Sequence, residues 1–165
     1  MEWELITDII VATALITLAV FAFIGLAQLI KRKSFKKVDR ELLAMFAPLI
    51  LLVVTYVVFE KFLILNTRPN GSGEPSFPST HTMITATIFF CVALALPKYI
   101  KSKAACALLD VIMLALLVLM CFGRVLANMH WVSDVFGALG FSLIFAFVYW
   151  LLIRQKSPKK ESKNA

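Results

Sequence analysis

The stretch Pro78-Ser79-Thr80-His81 opens a hydrophobic segment directly after a polar loop that carries Arg68. Pro78 and Ser79 are typical of a helix start, with Ser79 as a candidate N-cap. The first turn of a helix presents unpaired N–H groups and the positive end of the helix dipole, and it therefore attracts an anion such as phosphate. A histidine at this place, with an arginine upstream, suggests proton transfer to or from a bound phosphate ester. The alternative is a capped helix whose histidine has no such role, and the rest of the chain decides between the two.

The composition outside this stretch indicates a membrane protein. The chain has 165 residues, of which 61% are hydrophobic, and a mean hydropathy of +0.87, whereas soluble domains are usually about 45–50% apolar. Apolar runs of roughly 16 to 26 residues recur, and about 20 residues are needed to cross a bilayer. The acidic N-terminus, with Glu2, Glu4 and Asp8, is unlike a cleavable signal peptide.

The apolar runs predict an all-α integral membrane protein, because a backbone in lipid must satisfy its hydrogen bonds within helices or closed barrels. We expect a bundle of about five transmembrane helices, and residues 1–154 are expected to form a single domain. Residues 155–165 are expected to be a disordered, basic, cytoplasmic tail. The predicted spans are residues 5–30, 42–60, 81–96, 104–122 and 135–153.

The basic residues predict the orientation of these spans. Of the 17 lysines and arginines, six lie within residues 31–40, three within 98–103 and five within 154–163. In a five-span protein these three segments fall on one side of the membrane, and the positive-inside rule makes that side cytoplasmic. The N-terminus is then outside and the C-terminus inside. The net charge of +7 is explained by topology and by contact with anionic lipids, and no nucleic-acid partner is expected.

The other three basic residues are Lys61, Arg68 and Arg124, and all three fall at the predicted extracytoplasmic face. Snorkelling of a side chain at a helix end would explain Lys61 alone. It is a weaker explanation for the whole set, because His81 and His130, both histidines of the chain, map to the same face. These residues therefore predict a site at one membrane boundary.

Three segments of the chain carry these residues at defined spacings. Lys61 is followed by six residues and then Arg68-Pro69, and Gly123-Arg124 is followed by five residues, His130, three residues and Asp134. Together with the stretch at 78–81, this order resembles the phosphatidic acid phosphatase type 2 superfamily, whose pattern is KxxxxxxRP, PSGH and SRxxxxxHxxxD. Thr80 replaces the glycine of PSGH, and Gly123 replaces the serine before the arginine. We expect these two changes to alter the local geometry, the substrate preference or the rate.

The residues themselves support phosphoryl transfer. His130 and Asp134 are four positions apart, so on a helix they share a face, and the carboxylate can hold one imidazole nitrogen while the other attacks phosphorus. Alternatively, Asp134 caps the start of the fifth span. If His130 is the nucleophile, His81 is the general acid that protonates the leaving oxygen.

The resemblance implies the same division of roles. It implies a phosphohistidine intermediate on His130, with His81 protonating the leaving group and later activating water. It also implies that the phosphoryl oxygens are bound by cationic side chains and by groups at the helix start, namely Lys61, Arg68, Ser79, Thr80 and Arg124. The chain offers no cluster of carboxylates, cysteines and histidines suited to a metal, so we expect metal-independent chemistry without a cofactor.

The predicted function is hydrolysis of a lipid phosphate or pyrophosphate at the extracytoplasmic face of the cell membrane. By resemblance, a small five-span chain looks like the undecaprenyl-pyrophosphate phosphatases of the superfamily, which recycle the cell-wall carrier lipid. The alternative substrates are phosphatidylglycerophosphate, phosphatidate and lipid A, because phosphate-binding residues do not specify the lipid tail. An alternative of another class is a non-catalytic membrane protein that binds or moves lipids on the same scaffold.

Overall fold

The computed structural model describes residues 2–154, and in this part of the chain the secondary structure is helical. A 3-10 turn, Phe35–Lys37, precedes the second helix, and a π-helical turn, Val58–Phe62, continues the third. The predicted tail, residues 155–165, lies outside the described residues. The six α-helices of the described part are α1 (Glu2–Arg32), α2 (Arg40–Ala44), α3 (Phe46–Val57), α4 (Thr80–Tyr99), α5 (Lys103–Leu126) and α6 (Val132–Arg154).

These helices form five membrane-spanning segments in the described part of the chain, as the apolar runs predicted. Four of them are α1, α4, α5 and α6. The remaining span, second in chain order, is Arg40–Phe62, whose 23 residues comprise α2, α3 and the π-helical turn. Each observed span begins and ends within four residues of its predicted bounds, because burial of the apolar runs in lipid sets the span lengths.

Helix α4 is the central helix of the bundle. In its most apolar stretch 61% of the residues are buried, against 17–28% in the other four spans. Small residues such as Ala86 and Ala95 are fully buried there, since close helix packing in a membrane favours small side chains. Hydroxyl groups add polar contacts inside the bundle: Thr87 Oγ1 donates to Ser142 Oγ of α6 over 3.1 Å.

The outer surface of the bundle carries large apolar side chains. Phe23 of α1 is 71% exposed and Phe136 of α6 is 69% exposed. An apolar surface of this kind would be unfavourable in water but matches the hydrocarbon core of a bilayer.

The contacts of α1 define which helix ends lie together. Asp8 contacts His81 at the start of α4, and the Phe21 ring meets the Tyr99 ring edge-on at the other end, with centroids 5.6 Å apart. Helices α1 and α4 therefore run in the same direction. The start of α1, the start of α4, the end of α5 and the start of α6 form one end of the bundle, which we call the site end.

The opposite end is held together by Asp39, in the connection between α1 and α2. Its carboxylate accepts hydrogen bonds from Gln28 (2.8 Å), Arg32 (3.1 Å) and the Tyr99 hydroxyl (3.3 Å), and Lys98 lies 3.9 Å away. Burial alone would raise the pKa of Asp39, but the hydrogen bonds and the positive charges hold this pKa below its ordinary value. This network lies among the basic segments that were predicted to be cytoplasmic.

Candidate active site

The connection between the π-helical turn and α4 folds back on itself at the site end. Thr67 and Pro75 form an antiparallel bridge, and the Arg68 amide donates to the Glu74 carbonyl over 3.0 Å. The turn between them needs left-handed backbone at Gly71, where φ is +79°, a conformation that glycine adopts without steric cost. The loop therefore returns to the bundle immediately before the Pro78-Ser79 stretch.

Phe77 anchors the end of this loop to α6. Its ring packs directly on Gly137, where a Cβ atom would collide with the ring, and it also contacts the rings of Phe59 and Phe141. Two residues later the Ser79 amide donates to the Asp134 carbonyl over 3.1 Å. These contacts place the start of α4 beside the start of α6, which brings the second and third sequence segments together.

His130 lies in the short connection between α5 and α6 and is only 4% exposed. Its Nδ1 atom is 2.8 Å from the Ser76 carbonyl oxygen. Because a carbonyl can only accept, Nδ1 carries the hydrogen, and the lone pair of the neutral ring is on Nε2. Burial and the nearby Arg124 guanidinium lower the pKa of His130 to about 4, so at neutral pH the ring keeps that lone pair.

Asp134 caps the start of α6 and lies near His130 without hydrogen-bonding to its ring. Its Oδ2 atom accepts the Trp131 amide over 2.9 Å and so caps the start of α6. The same atom lies 3.7 Å from Nδ1 of His130, within ion-pair range but beyond a hydrogen bond. The direct hydrogen-bond partner of the His130 ring is therefore the Ser76 carbonyl, and Asp134, which is fully buried, supplies a negative charge beside it.

His81 is held through the other ring nitrogen. Its Nε2 atom lies 3.1 Å from Oδ1 of Asp8, a residue of α1. A carboxylate oxygen accepts, so Nε2 carries a hydrogen, and Nδ1 makes no hydrogen bond with any residue of the described part of the chain. The sequence prediction missed Asp8, although a carboxylate inside a predicted span is a signal of function.

Two arginines lie beside both histidines. Arg124 of α5 is 4% exposed, and its Nη1 atom donates to Thr7 Oγ1 of α1 over 3.3 Å. Arg68 pairs with Glu74 over 2.9 Å. The charges of Arg68 and Arg124 act on His81 and on His130. The Nε–H groups of both arginines are buried and have no hydrogen-bond partner among the described residues, an arrangement suited to an anion that accepts from them.

The remaining predicted phosphate-binding residues differ from one another. Lys61, in the π-helical turn, is exposed and makes no ion pair with another described residue. Ser79 is the N-cap of α4, but its hydroxyl pairs with Thr82 Oγ1 at 3.0 Å, so it does not cap the helix N–H groups. Thr80 is the first residue of α4, and its φ is not in the left-handed region, so threonine adopts the backbone angle there without strain.

Sequence reasoning also missed Thr7, Ser76 and Asn66. Ser76 contributes a backbone carbonyl, which leaves no side-chain signal in a sequence, and Asn66 Nδ2 lies 3.5 Å from Asp134 Oδ1. Among the described residues, no group of three or more His, Cys, Asp or Glu side chains is placed to hold a metal ion.

Together, these features define an integral membrane protein with a cluster of histidines and arginines at one end of the bundle. The sequence model of the PAP2 superfamily matches residues 58–158, more than half of the chain, and the chain therefore belongs to the PAP2 superfamily. This membership confirms the resemblance drawn from the three segments and supports a membrane lipid phosphatase. A search among curated proteins finds no significant match.

The fold is similar to a solved structure, the crystal structure of a transmembrane PAP2-type phosphatidylglycerolphosphate phosphatase from Bacillus subtilis. The TM-score is 0.70 and the sequence identity is 22%, with 90% of this chain and 75% of that chain covered. The similarity confirms the all-helical transmembrane fold. The family match begins at residue 58, so α1, which contributes Thr7 and Asp8 to the site, lies outside it.

Proposed function

We propose that this protein hydrolyses a lipid phosphate or pyrophosphate at the extracytoplasmic face of the cell membrane, through a phosphohistidine on His130 and without a metal ion. The observation that carries the proposal is the environment of His130. A buried, neutral imidazole with its lone pair on Nε2 lies beside two guanidinium groups whose Nε–H donors have no partner in the described part of the chain. Such a site suits a phosphate group held by Arg68 and Arg124 and attacked by the histidine.

The first step forms the bond between Nε2 of His130 and phosphorus and breaks the bond between phosphorus and the leaving oxygen. His81, protonated on both nitrogens, gives the Nδ1 proton to that oxygen, and its Nε2–H group remains hydrogen-bonded to the Asp8 carboxylate. The phosphorylated His130 ring carries a positive charge. Its Nδ1–H remains on the Ser76 carbonyl, and the Asp134 carboxylate 3.7 Å away offsets the charge.

The second step is attack of water on the phosphohistidine. The neutral Nδ1 of His81 accepts a proton from the water as its oxygen bonds to phosphorus, and the bond between phosphorus and Nε2 breaks. Inorganic phosphate leaves, His130 returns to its neutral form, and His81 is again protonated. The cycle consumes one water and needs no redox partner.

An apolar groove supports a lipid substrate. It lies between α4, α5 and α6, has a volume of about 510 Å³, and is lined by side chains such as Phe90, Leu114 and Val118. Two further lining residues, Val125 and Val132, are next to or near Arg124 and His130 in the chain. A lipid tail in this groove would lie alongside the helices while its phosphate reaches the site end.

Undecaprenyl pyrophosphate is the proposed substrate, on the basis of the resemblance to small five-span phosphatases. Phosphatidylglycerolphosphate is the second candidate, because the similar solved structure is a phosphatase of that lipid. Both substrates present a terminal phosphate to the same arginines, so the tail and the leaving group must distinguish them.

The test is phosphate release by the purified protein in detergent. Undecaprenyl pyrophosphate, phosphatidylglycerolphosphate and phosphatidate are compared at equal surface concentration, with and without EDTA, and His130→Ala serves as the inactive control. We expect the highest kcat/KM for undecaprenyl pyrophosphate, full activity in EDTA and inhibition by vanadate, whose trigonal-bipyramidal complex resembles the transition state.

Each departure from this result has a defined meaning. Loss of activity on chelation, restored by magnesium, would contradict the metal-free mechanism. A higher kcat/KM for phosphatidylglycerolphosphate than for undecaprenyl pyrophosphate would make phosphatidylglycerolphosphate the preferred substrate. Binding of these lipids with no phosphate release from any of them would support the non-catalytic alternative.

A further inference from the structure

We propose that Asp8 of α1 is the positioning residue of His81: its carboxylate holds Nε2–H and thereby presents the protonated Nδ1 to the leaving oxygen. This inference rests on the proposed function, since it concerns the proton donor of that reaction. It assigns a role in the site to the first helix, which the family match does not include.

The geometry determines which nitrogen of His81 is available. Oδ1 of Asp8 lies 3.1 Å from Nε2, and no residue of the described chain binds Nδ1. For His130 the arrangement is reversed, because Nδ1 is bound by the Ser76 carbonyl and Nε2 makes no hydrogen bond with a described residue. Each ring therefore has one held nitrogen and one nitrogen available for substrate.

The two acceptors differ in charge, and this difference matches the two roles. The Ser76 carbonyl is neutral and stabilises a neutral tautomer of His130, as a nucleophile requires. The Asp8 carboxylate is anionic and stabilises the imidazolium of His81, as a proton donor requires.

The imidazolium of His81 needs such an anion because of its other neighbours. The charged groups that act on His81 are Asp8 from α1, Arg124 from α5 and Arg68 from the loop before α4. Two of these three are cations and disfavour a third positive charge beside them. Asp8 is the only anion in this set, so it opposes their effect before substrate binds.

A second contact, between Thr7 and Arg124, fixes the position of α1 relative to the site. Thr7, the residue before Asp8, is fully buried, and its hydroxyl accepts the hydrogen bond from Arg124 Nη1 over 3.3 Å. One turn of α1 thus contacts a proposed phosphate-binding arginine and the proposed proton donor through adjacent residues. Placement of α1 against α4 and α5 consequently sets the orientation of both groups.

The experiment compares Asp8→Ala and Asp8→Asn with the wild type and with Glu2→Gln, which removes an exposed carboxylate from the same end of α1. Two substrates are used: phosphatidate, whose alkoxide leaving group needs a proton, and 4-nitrophenyl phosphate, whose leaving group does not. We expect both Asp8 variants to lower kcat for phosphatidate by about tenfold, less than the roughly 10²–10⁴-fold contribution of a general acid, because His81 itself is still present. The first turnover of nitrophenyl phosphate should change little, and Glu2→Gln should match the wild type.

The pH profile gives a readout that a purely structural role would not move. In Asp8→Asn the alkaline limb of kcat/KM for phosphatidate should shift to lower pH, because the imidazolium has lost its anion while the amide oxygen can still accept from Nε2–H. Asp8 is exposed, with 60% of its side chain accessible, so the variants are expected to fold, which thermal unfolding in detergent will verify.

An NMR measurement tests the same contact without activity. Nitrogen-15 labelling of the histidine rings, with His81→Asn to assign the signals, should show hydrogen on Nε2 of His81 in the wild type and a mixture of tautomers in Asp8→Ala. Equal losses on both substrates, an unshifted pH profile or an unchanged tautomer would each overturn the role of Asp8. Failure of the wild type on every phosphate substrate would instead overturn the proposed function, and this inference with it.

Discussion

The two histidines are held by opposite ring nitrogens, and this leads to a prediction about leaving groups. His130→Ala should abolish turnover and phosphoenzyme with every substrate, because no other side chain replaces the nucleophile. His81→Ala should lower the rate for a phosphate monoester by about 10²–10⁴-fold, but it should affect pyrophosphate and nitrophenyl phosphate less in the first step, since their leaving groups need no proton.

The measurement is to quench each variant during turnover of a labelled substrate and to locate the phosphoryl group. His81→Ala is expected to accumulate phosphohistidine on His130, because the second step has lost its base. Asp134→Asn should retain the fold and the cap of α6 and react slowly. Label on His81 in the wild type would reverse the assignment of the two rings.

Burial of His130 predicts how activity depends on pH. Burial and Arg124 lower its pKa from the ordinary value of 6.5 to about 4, so the ring is neutral and nucleophilic above that value and protonated below it. The acidic limb of kcat/KM, corrected for ionisation of the substrate, should therefore lie near pH 4. A limb near pH 6.5 would show that the ring is more solvated than its 4% exposure indicates.

At the scale of helices, the packing of α1 against α5 explains why Gly123 stands where the family pattern has serine. A Cβ atom at this position would lie 2.6 Å from Cγ2 of Thr7, so glycine permits the close approach of α1 to α5. In exchange, the Thr7 hydroxyl binds Arg124, the residue after Gly123. The serine of the family pattern does not fit here unless α1 changes.

We therefore predict that Gly123→Ser is destabilising and that Thr7→Ser rescues it. Overpacking should cost about 1–3 kcal/mol in the single variant, whereas Thr7→Ser removes Cγ2, keeps the hydroxyl and relieves the collision. Gly140→Ser is the matched control, because a Cβ there meets no atom within 4 Å. Thermal unfolding in detergent measures the effect, and additive losses in the double variant would contradict the proposed contact.

At the scale of the whole molecule, the bundle separates two sets of polar groups. The histidines and Arg68 and Arg124 lie at the site end, and the Asp39 network lies at the other end among the basic segments. The positive-inside rule then predicts that the site end is extracytoplasmic.

Labelling in intact cells tests this orientation. With Cys91, Cys106 and Cys121 replaced by alanine, a single cysteine at Ser72 should react with an impermeant reagent added from outside. A cysteine at Lys101, exposed at the opposite end, should react only after permeabilisation, and a reporter fused after Ala165 should be cytoplasmic. The reverse labelling pattern would show that the site end faces the cytoplasm.

The spans and the location of the ionisable residues could be predicted from the sequence alone. Hydropathy and charge are local properties that add along the chain, so five spans and a common end for His81, Arg124 and His130 follow without tertiary contacts. The three motif segments likewise have fixed internal spacings, which is why family membership was predicted correctly.

Only the tertiary structure decided how these residues are held. That Nδ1 of His130 is bound by a backbone carbonyl, that Asp8 and Thr7 reach the site from α1, and that Gly123 accommodates Thr7 all depend on how α1 and the loop pack against α4, α5 and α6. Such contacts join residues more than 50 positions apart. They are determined by interhelical packing, which a local pattern of hydropathy or charge does not specify.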